Sequence, residues 1–139
     1  MTTPLTKIYN VFLHNIDDDI LALLSPEVVE DMLLIYLQGA CVEFTTCKKD
    51  LTIDLETNTI ASELDADEIF ILSRGMIMFW LQPKILREDT LRNMITDKDY
   101  NQSSPANMLD KLIKLKKLTE DDLIKRRRKY TYKNFMGFE

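Results

Sequence analysis

Apolar positions along this chain recur mostly at helical spacing. Leu5, Ile8, Tyr9, Phe12, Leu13 and Ile16 stand at helical intervals, which predicts a short amphipathic helix over residues 4–15 with Pro4 at its start. Asp17, Asp18 and Asp19 then break the pattern, and residues 20–24 leave room for one further turn. Ser25-Pro26 pairs a hydroxyl N-cap with a proline at the first helical position. The helix it opens carries Val28, Val29, Met32, Leu33, Ile35, Tyr36 and Leu37, then Ala40, Val42 and Phe44. Glu27, Glu30 and Asp31 suit its positive dipole end. Gly39 inside a helix costs about 1 kcal/mol relative to Ala, so it marks close contact with another helix or a kink.

Residues 45–62 are the least regular stretch. Thr52, Ile53, Asp54 and Leu55 alternate with period two between turn-like clusters, which fits a short hairpin or a loop across the helices. Asp65 and Glu68 then have the spacing of a capping box. The segment they open, residues 69–82, is apolar on nearly every face, the pattern of a central helix, and Pro83 is expected to end it. Its one charge, Arg74, must reach the rim or pair with an acid from the first half. Residues 85–95 read as a separate short helix and 96–103 as a polar connector. Ser104-Pro105 repeats the capping device and opens a last helix to about residue 128, with a possible break at Thr119.

The expected fold class is therefore mainly α, a compact bundle of four to five helices with an irregular or short-hairpin insertion. Three glycines and four prolines in 139 residues favour long helices over a many-turned β fold. Apolar residues make up 45% and charged residues 29%, a globular composition. The residues give no apolar run expected to span a membrane and no leader pattern at the N-terminus, so synthesis in the cytoplasm is expected. Cys41, Cys47 and a single His14 fall short of a four-ligand zinc site, and a reducing cytosol argues against a disulfide. Two free thiols, buried or half-buried, are expected instead.

Charge is divided along the chain. Residues 1–68 hold three Lys/Arg against fourteen Asp/Glu, a balance of −11; residues 69–139 hold fifteen against nine, a balance of +6. A simple nucleic-acid binder is usually basic throughout. This polarity suits a protein whose acidic end packs on a neighbour's basic end. No glycine-rich phosphate loop, GxSxG or HExxH is present, and Asp17–Asp19 lack the spacing of a calcium loop. The expectation is no enzyme, no cofactor and no bound metal.

One constellation remains. The basic run Lys125, Arg126, Arg127, Arg128 and Lys129 is followed by Tyr130, Tyr132 and Phe135. Residues 1–128 are expected to form the helical domain and 129–139 an extended C-terminal docking arm. Arginine forks pair with phosphates or carboxylates, and tyrosine gives large contact area at low entropy cost. Arg126, Arg127, Arg128, Tyr130, Tyr132 and Phe135 are thus the candidate partner contacts. Four readings stay open: a nucleic-acid contact, a docking arm on another protein, a strand added to a neighbour's sheet, or a solvated tail.

Several strings carry a resemblance. They are Cys47-Lys48-Lys49-Asp50-Leu51, Asp67-Glu68-Ile69, Gly75-Met76-Ile77, Trp80-Leu81 and Pro83-Lys84-Ile85. Further on come Lys98-Asp99-Tyr100-Asn101, Ser103-Ser104-Pro105-Ala106-Asn107 and Tyr130-Thr131-Tyr132. Together, over residues 47–133, they resemble the head–tail connector or adaptor (neck) proteins of tailed bacteriophages. The resemblance implies a structural virion protein of the neck: a homo-oligomeric ring, commonly of twelve copies, beneath the portal protein. It implies a C-terminal arm on the portal, a tail-side neck or stopper protein below, and a continued DNA channel with possible DNA contact. The alternative function is a small nucleic-acid-binding accessory protein using the basic C-terminal helix.

Overall fold

A computed structural model describes residues 1–16, 21, 23–94 and 104–135. Among them four helices follow in order: α1 (Leu5–His14), α2 (Pro26–Glu43), α3 (Ala66–Met94) and α4 (Ser104–Phe135). Three two-residue strands, β1 (Thr3–Pro4), β2 (Ile53–Asp54) and β3 (Thr59–Ile60), form an antiparallel sheet in the order β1-β3-β2. Thr3 and Ile53 both face Ile60 in register. The mainly helical class is as expected; of the two readings left open for residues 45–62 the structure has the short hairpin, and the pairing of the N-terminus onto it is new. Thr3 ties it down, donating through its hydroxyl to the Ser62 carbonyl and accepting from the Leu64 N–H, each at 2.8 Å. Asn58 takes a positive φ of 54° in the turn, a conformation that Asn tolerates better than most side chains.

Helix α3 is the axis of the domain, and α1, α2 and α4 all pack on it. Ile71, Leu72, Met76, Ile77, Trp80 and Leu81 are buried, as a helix apolar all round requires. Phe12 of α1 meets the Trp80 ring edge-on, with centroids 6.4 Å apart. Helix α2 presses Leu33, Leu37 and Ala40 against α3. The two backbones come close because both carry glycine. A Cβ on Gly75 would lie 2.9 Å from the Ala40 Cβ, and one on Gly39 2.6 Å from the Phe79 ring. Of the two readings of Gly39, close contact or kink, the structure has the close contact. Ser25 caps α2 by accepting from the Val28 N–H. Asp65 and Glu68 make the expected reciprocal capping box, both bonds at 2.9 Å.

Four expectations fail. Pro83 does not end the central helix; α3 runs through it to Met94, so the separate helix over residues 85–95 is its continuation. A proline removes one hydrogen bond from a helix already formed, whereas a new helix needs a new nucleus. Lys84 reinforces the crossing from 5.0 Å over the Trp80 ring. No break occurs at Thr119, and α4 continues past residue 128 to Phe135, so the extended arm expected over 129–139 is helical as far as it is described. The stretch Ala66–Arg87 is also long and apolar enough to cross a membrane by length and composition, contrary to the reading above. Half of it is buried, and the core helix of a bundle passes the same test. The acidic run 17–19, the connector 96–103 and residues 136–139 lie outside the described residues.

Candidate docking surface on the terminal helix

The end of α4 has an inner face that is tied down and an outer face that is exposed. Thr119, Leu123 and Tyr130 follow at steps of four and seven, so they share one side of the helix, and all three are buried. Tyr130 is only 3% exposed, and its ring meets Phe44, the residue that closes α2, with centroids 5.1 Å apart. Its hydroxyl donates to Glu68 Oε2 at 2.7 Å and accepts from the Lys48 backbone N–H at 3.2 Å. Glu68 is fully buried and receives the Lys49 ammonium on Oε1 at 2.8 Å; the same ammonium reaches the Glu63 carbonyl. One carboxylate thus caps α3, anchors the loop after α2 and latches the end of α4.

Burial by itself raises the Glu68 carboxyl, but the bonds from Lys49, the Asp65 N–H and Tyr130 outweigh it and hold it below the usual range. Lys49 is raised in turn, chiefly by its bond to Glu68. Burial, then the bond to Glu68, pushes the Tyr130 phenol well above its ordinary value. Cys47 lies 3.9 Å from both the Glu68 carboxylate and the Tyr130 hydroxyl. Burial raises its thiol and pushes that of Cys41 to about 11. Both are free and half-buried, as expected, and neither is an activated nucleophile.

The basic run is split by the turn of the helix. Arg126 faces inward to Asp122, whose Oδ2 accepts at 2.9 Å from Arg126 Nε and at 3.2 Å from Arg74 Nε. The acid that takes Arg74 therefore comes from the second half of the chain, not the first. Arg126 also lies 5.3 Å from the Phe70 ring. Arg127 turns into a groove between α2, α3 and α4, where its Nε is buried with no hydrogen-bond partner. Arg128 points outward with Lys125 and Lys129, and Tyr132 is more than half exposed. Phe135 ends the helix; its side chain lies outside the described ones.

Of the six predicted partner contacts, Tyr130 is corrected outright: it belongs to the core and is turned away from any partner. Arg126 is committed to Asp122. Arg127, Arg128 and Tyr132 reach the surface or a cleft, on different sides. The bond partners Glu68 and Lys49 escaped the sequence reading. The seven-residue step from Leu123 to Tyr130, two helical turns, was the available signal.

Lys125, Lys129 and Lys133 stand four apart along one edge of α4, beside a cleft of about 460 Å³ that Asp67 and Asp122 also line. Lys133 and Asp67 approach to 3.8 Å there. Ile113, Leu118 and Ile124 are exposed earlier on the same helix. Among the described residues, no group of three or more His, Cys, Asp or Glu side chains could hold a metal ion. The comparisons with known proteins return no match: no family model fits the chain, and no curated protein or solved structure is significantly similar to it.

Proposed function

We propose that this chain is a structural virion protein, a head–tail connector that assembles as a ring under the portal and continues the DNA channel. The observation that carries this reading is the outer side of α4, where Lys125, Arg128 and Lys129 stand exposed beside Ile124 and Tyr132. A helix latched so firmly on its inner side presents that outer side as a rigid docking surface. Arginine and tyrosine are favoured anchors at such surfaces. The charge division between the halves of the chain supports assembly with copies of itself, and the resemblance to connector proteins supplies the neck as the place.

Docking is assigned to the outer face of the helix rather than to a free arm. Deleting residues 129–139 is for that reason a poor test, since it removes Tyr130 from the core. The double variant Arg128→Glu, Lys129→Glu changes exposed positions only. It is expected to keep the helical circular dichroism and melting temperature of the parent, and to lose co-sedimentation with a purified portal ring. A variant that still binds the portal sinks the proposal.

The regular spacing of Lys125, Lys129 and Lys133 supports a second reading, a nucleic-acid-binding accessory protein, because such a stripe can follow a phosphate backbone. Salt separates the two. Duplex affinity that falls steeply with salt, in a chain that forms no ring and ignores the portal, favours the second.

A further inference from the structure

The groove holding Arg127 is a receptor whose polar lining is incomplete. Met78 and Phe79 of α3 form its floor, Leu123 and Ile124 of α4 one wall, and the end of α2 at Glu43 the other; its volume is about 460 Å³. Arg127 Nε is buried there without an acceptor, although Glu43 and Glu120 line the same groove. A buried N–H left unpaired is costly, so the groove favours an occupant that brings an oxygen to it. A cleft walled by two helices and floored by a third accepts a further helix, seated through side chains at intervals of three, four and seven.

The chain itself carries such a helix. On α2, Val28, Ile35 and Val42 are 45%, 62% and 75% exposed. They are seven residues apart, so they line up as one stripe, on the side away from buried Leu33, Leu37 and Ala40. Asp31 lies between Val28 and Ile35, three residues from one and four from the other, and Glu27 adjoins Val28; both acids are exposed. The stripe is apolar and acidic. The groove is largely apolar and holds Arg127 and Lys116 beside Glu43 and Glu120, so its own charges balance; the unpaired Arg127 Nε and the exposed Lys117 and Arg128 on the same helix are what an acidic stripe can meet.

We propose that the α2 stripe of a second copy occupies this groove, with the Asp31 carboxylate accepting from Arg127. Stripe and groove are different surfaces, so the contact is heterologous and propagates head to tail. This deepens the assembly reading above by naming its two surfaces, and is independent of the portal.

Two full-length variants test it, Ile35→Glu in the stripe and Ile124→Glu in the groove. Both positions are exposed, so both chains are expected to fold, as circular dichroism will check. In sedimentation equilibrium the parent is expected to self-associate as concentration rises. Each variant alone is expected to associate about thirtyfold more weakly or worse, as for loss of an interface anchor. Mixed, they retain one intact stripe and one intact groove, and are expected to form a one-to-one dimer that grows no further. A parent that stays monomeric at millimolar concentration overturns the proposal. So does a variant that self-associates as the parent does, or a mixture that stays monomeric. Portal binding, read separately with the Arg128→Glu, Lys129→Glu variant, is untouched by failure here.

Discussion

Helices α2 and α4 pack on the same axial helix by different physics. Helix α2 is held by shape: Leu33, Leu37 and Ala40 against α3, with Gly39 and Gly75 letting the surfaces close. The end of α4 is held by direction: Tyr130 and Arg126 reach single carboxylate oxygens on Glu68 and Asp122. Apolar contact is indifferent to pH and sensitive to volume. A hydrogen-bonded latch is tolerant of small volume changes and sensitive to protonation. The acidic and basic helices should therefore respond to different insults.

The largest effect is expected from volume on the α2 side. Leu37 is fully buried, so Leu37→Ala should cost about 3 kcal/mol through lost transfer energy and the cavity left behind. Denaturant midpoints at pH 5 and pH 8 should fall by equal amounts. A loss that differs between the two pH values would break the contrast from one side.

Next comes Tyr130→Phe, which keeps the ring against Phe44 and removes only the hydroxyl. Glu68 then loses one donor in a buried site, and about 2 kcal/mol is expected, as for hydrogen bonds to charged groups. Amide exchange should accelerate over the last turns of α4 and leave α2 unchanged. Uniform acceleration across the domain would show that the latch is not local.

How far these elements could be read in advance follows from the same division. Local devices were legible: Ser25-Pro26 opening α2 and Asp65 and Glu68 boxing the start of α3, while contact or kink at Gly39 and hairpin or loop around residues 53–60 stayed undecided. Each depends on neighbours within a few positions. The latch was not, because Glu68 already had a complete local role and Tyr130 lies 62 residues away. Tyr130 was read together with Tyr132 and Phe135 as spaced aromatics, when its step of seven from Leu123 placed it on the buried face. Pro83 misled for the opposite reason: a strong local signal was overridden by the packing on both sides of it. The docking role proposed for Arg128 and Tyr132 rests on exposure and charge, which a sequence can suggest but not orient.

The pH limbs give a smaller effect with a definite sign. The Glu68 carboxyl titrates below its ordinary 4.5 in the fold, so its contribution is complete above that value and is lost as pH falls through the lowered one. Lys49 and Tyr130 titrate above their ordinary 10.5 and 10.0. Their contributions are complete below those values and are lost as pH rises through the raised ones. Tyr9, pushed up to about 12 by burial, then by Glu30 and Cys41, adds to the alkaline limb. Cys41 and Cys47, raised by burial from an ordinary 9.0, open that limb first, so stability should be flat between about pH 5.5 and pH 8 and fall on both sides. Glu68→Gln should lower the plateau and flatten the acid limb specifically. An acid limb of unchanged steepness in that variant would place the titrating group elsewhere.

The smallest effect, and the one that sharpens the contrast most, is expected at Gly39. A Cβ there first meets the outer edge of the Phe79 ring, the far end of a side chain that lines the open groove on a residue about one-third exposed, so the ring is expected to turn aside. Replacing an interior helical glycine by alanine gains about 1 kcal/mol in helix propensity, against a comparable cost for turning the ring off its favoured rotamer. Gly39→Ala should therefore leave the denaturant midpoint nearly unchanged. At Gly75 the obstructing atom is the Ala40 Cβ on a packed helix, with the Ala40 Cα behind it at 3.4 Å, so the helices themselves must separate. Gly75→Ala should be clearly destabilising where Gly39→Ala is not. Because the Phe79 ring floors the groove proposed for a second copy, Gly39→Ala should also weaken self-association while sparing the fold. Equal destabilisation at the two glycines would mean that the Phe79 side of α2 is packed as tightly as the Ala40 side, and that the groove has no freedom to receive a helix.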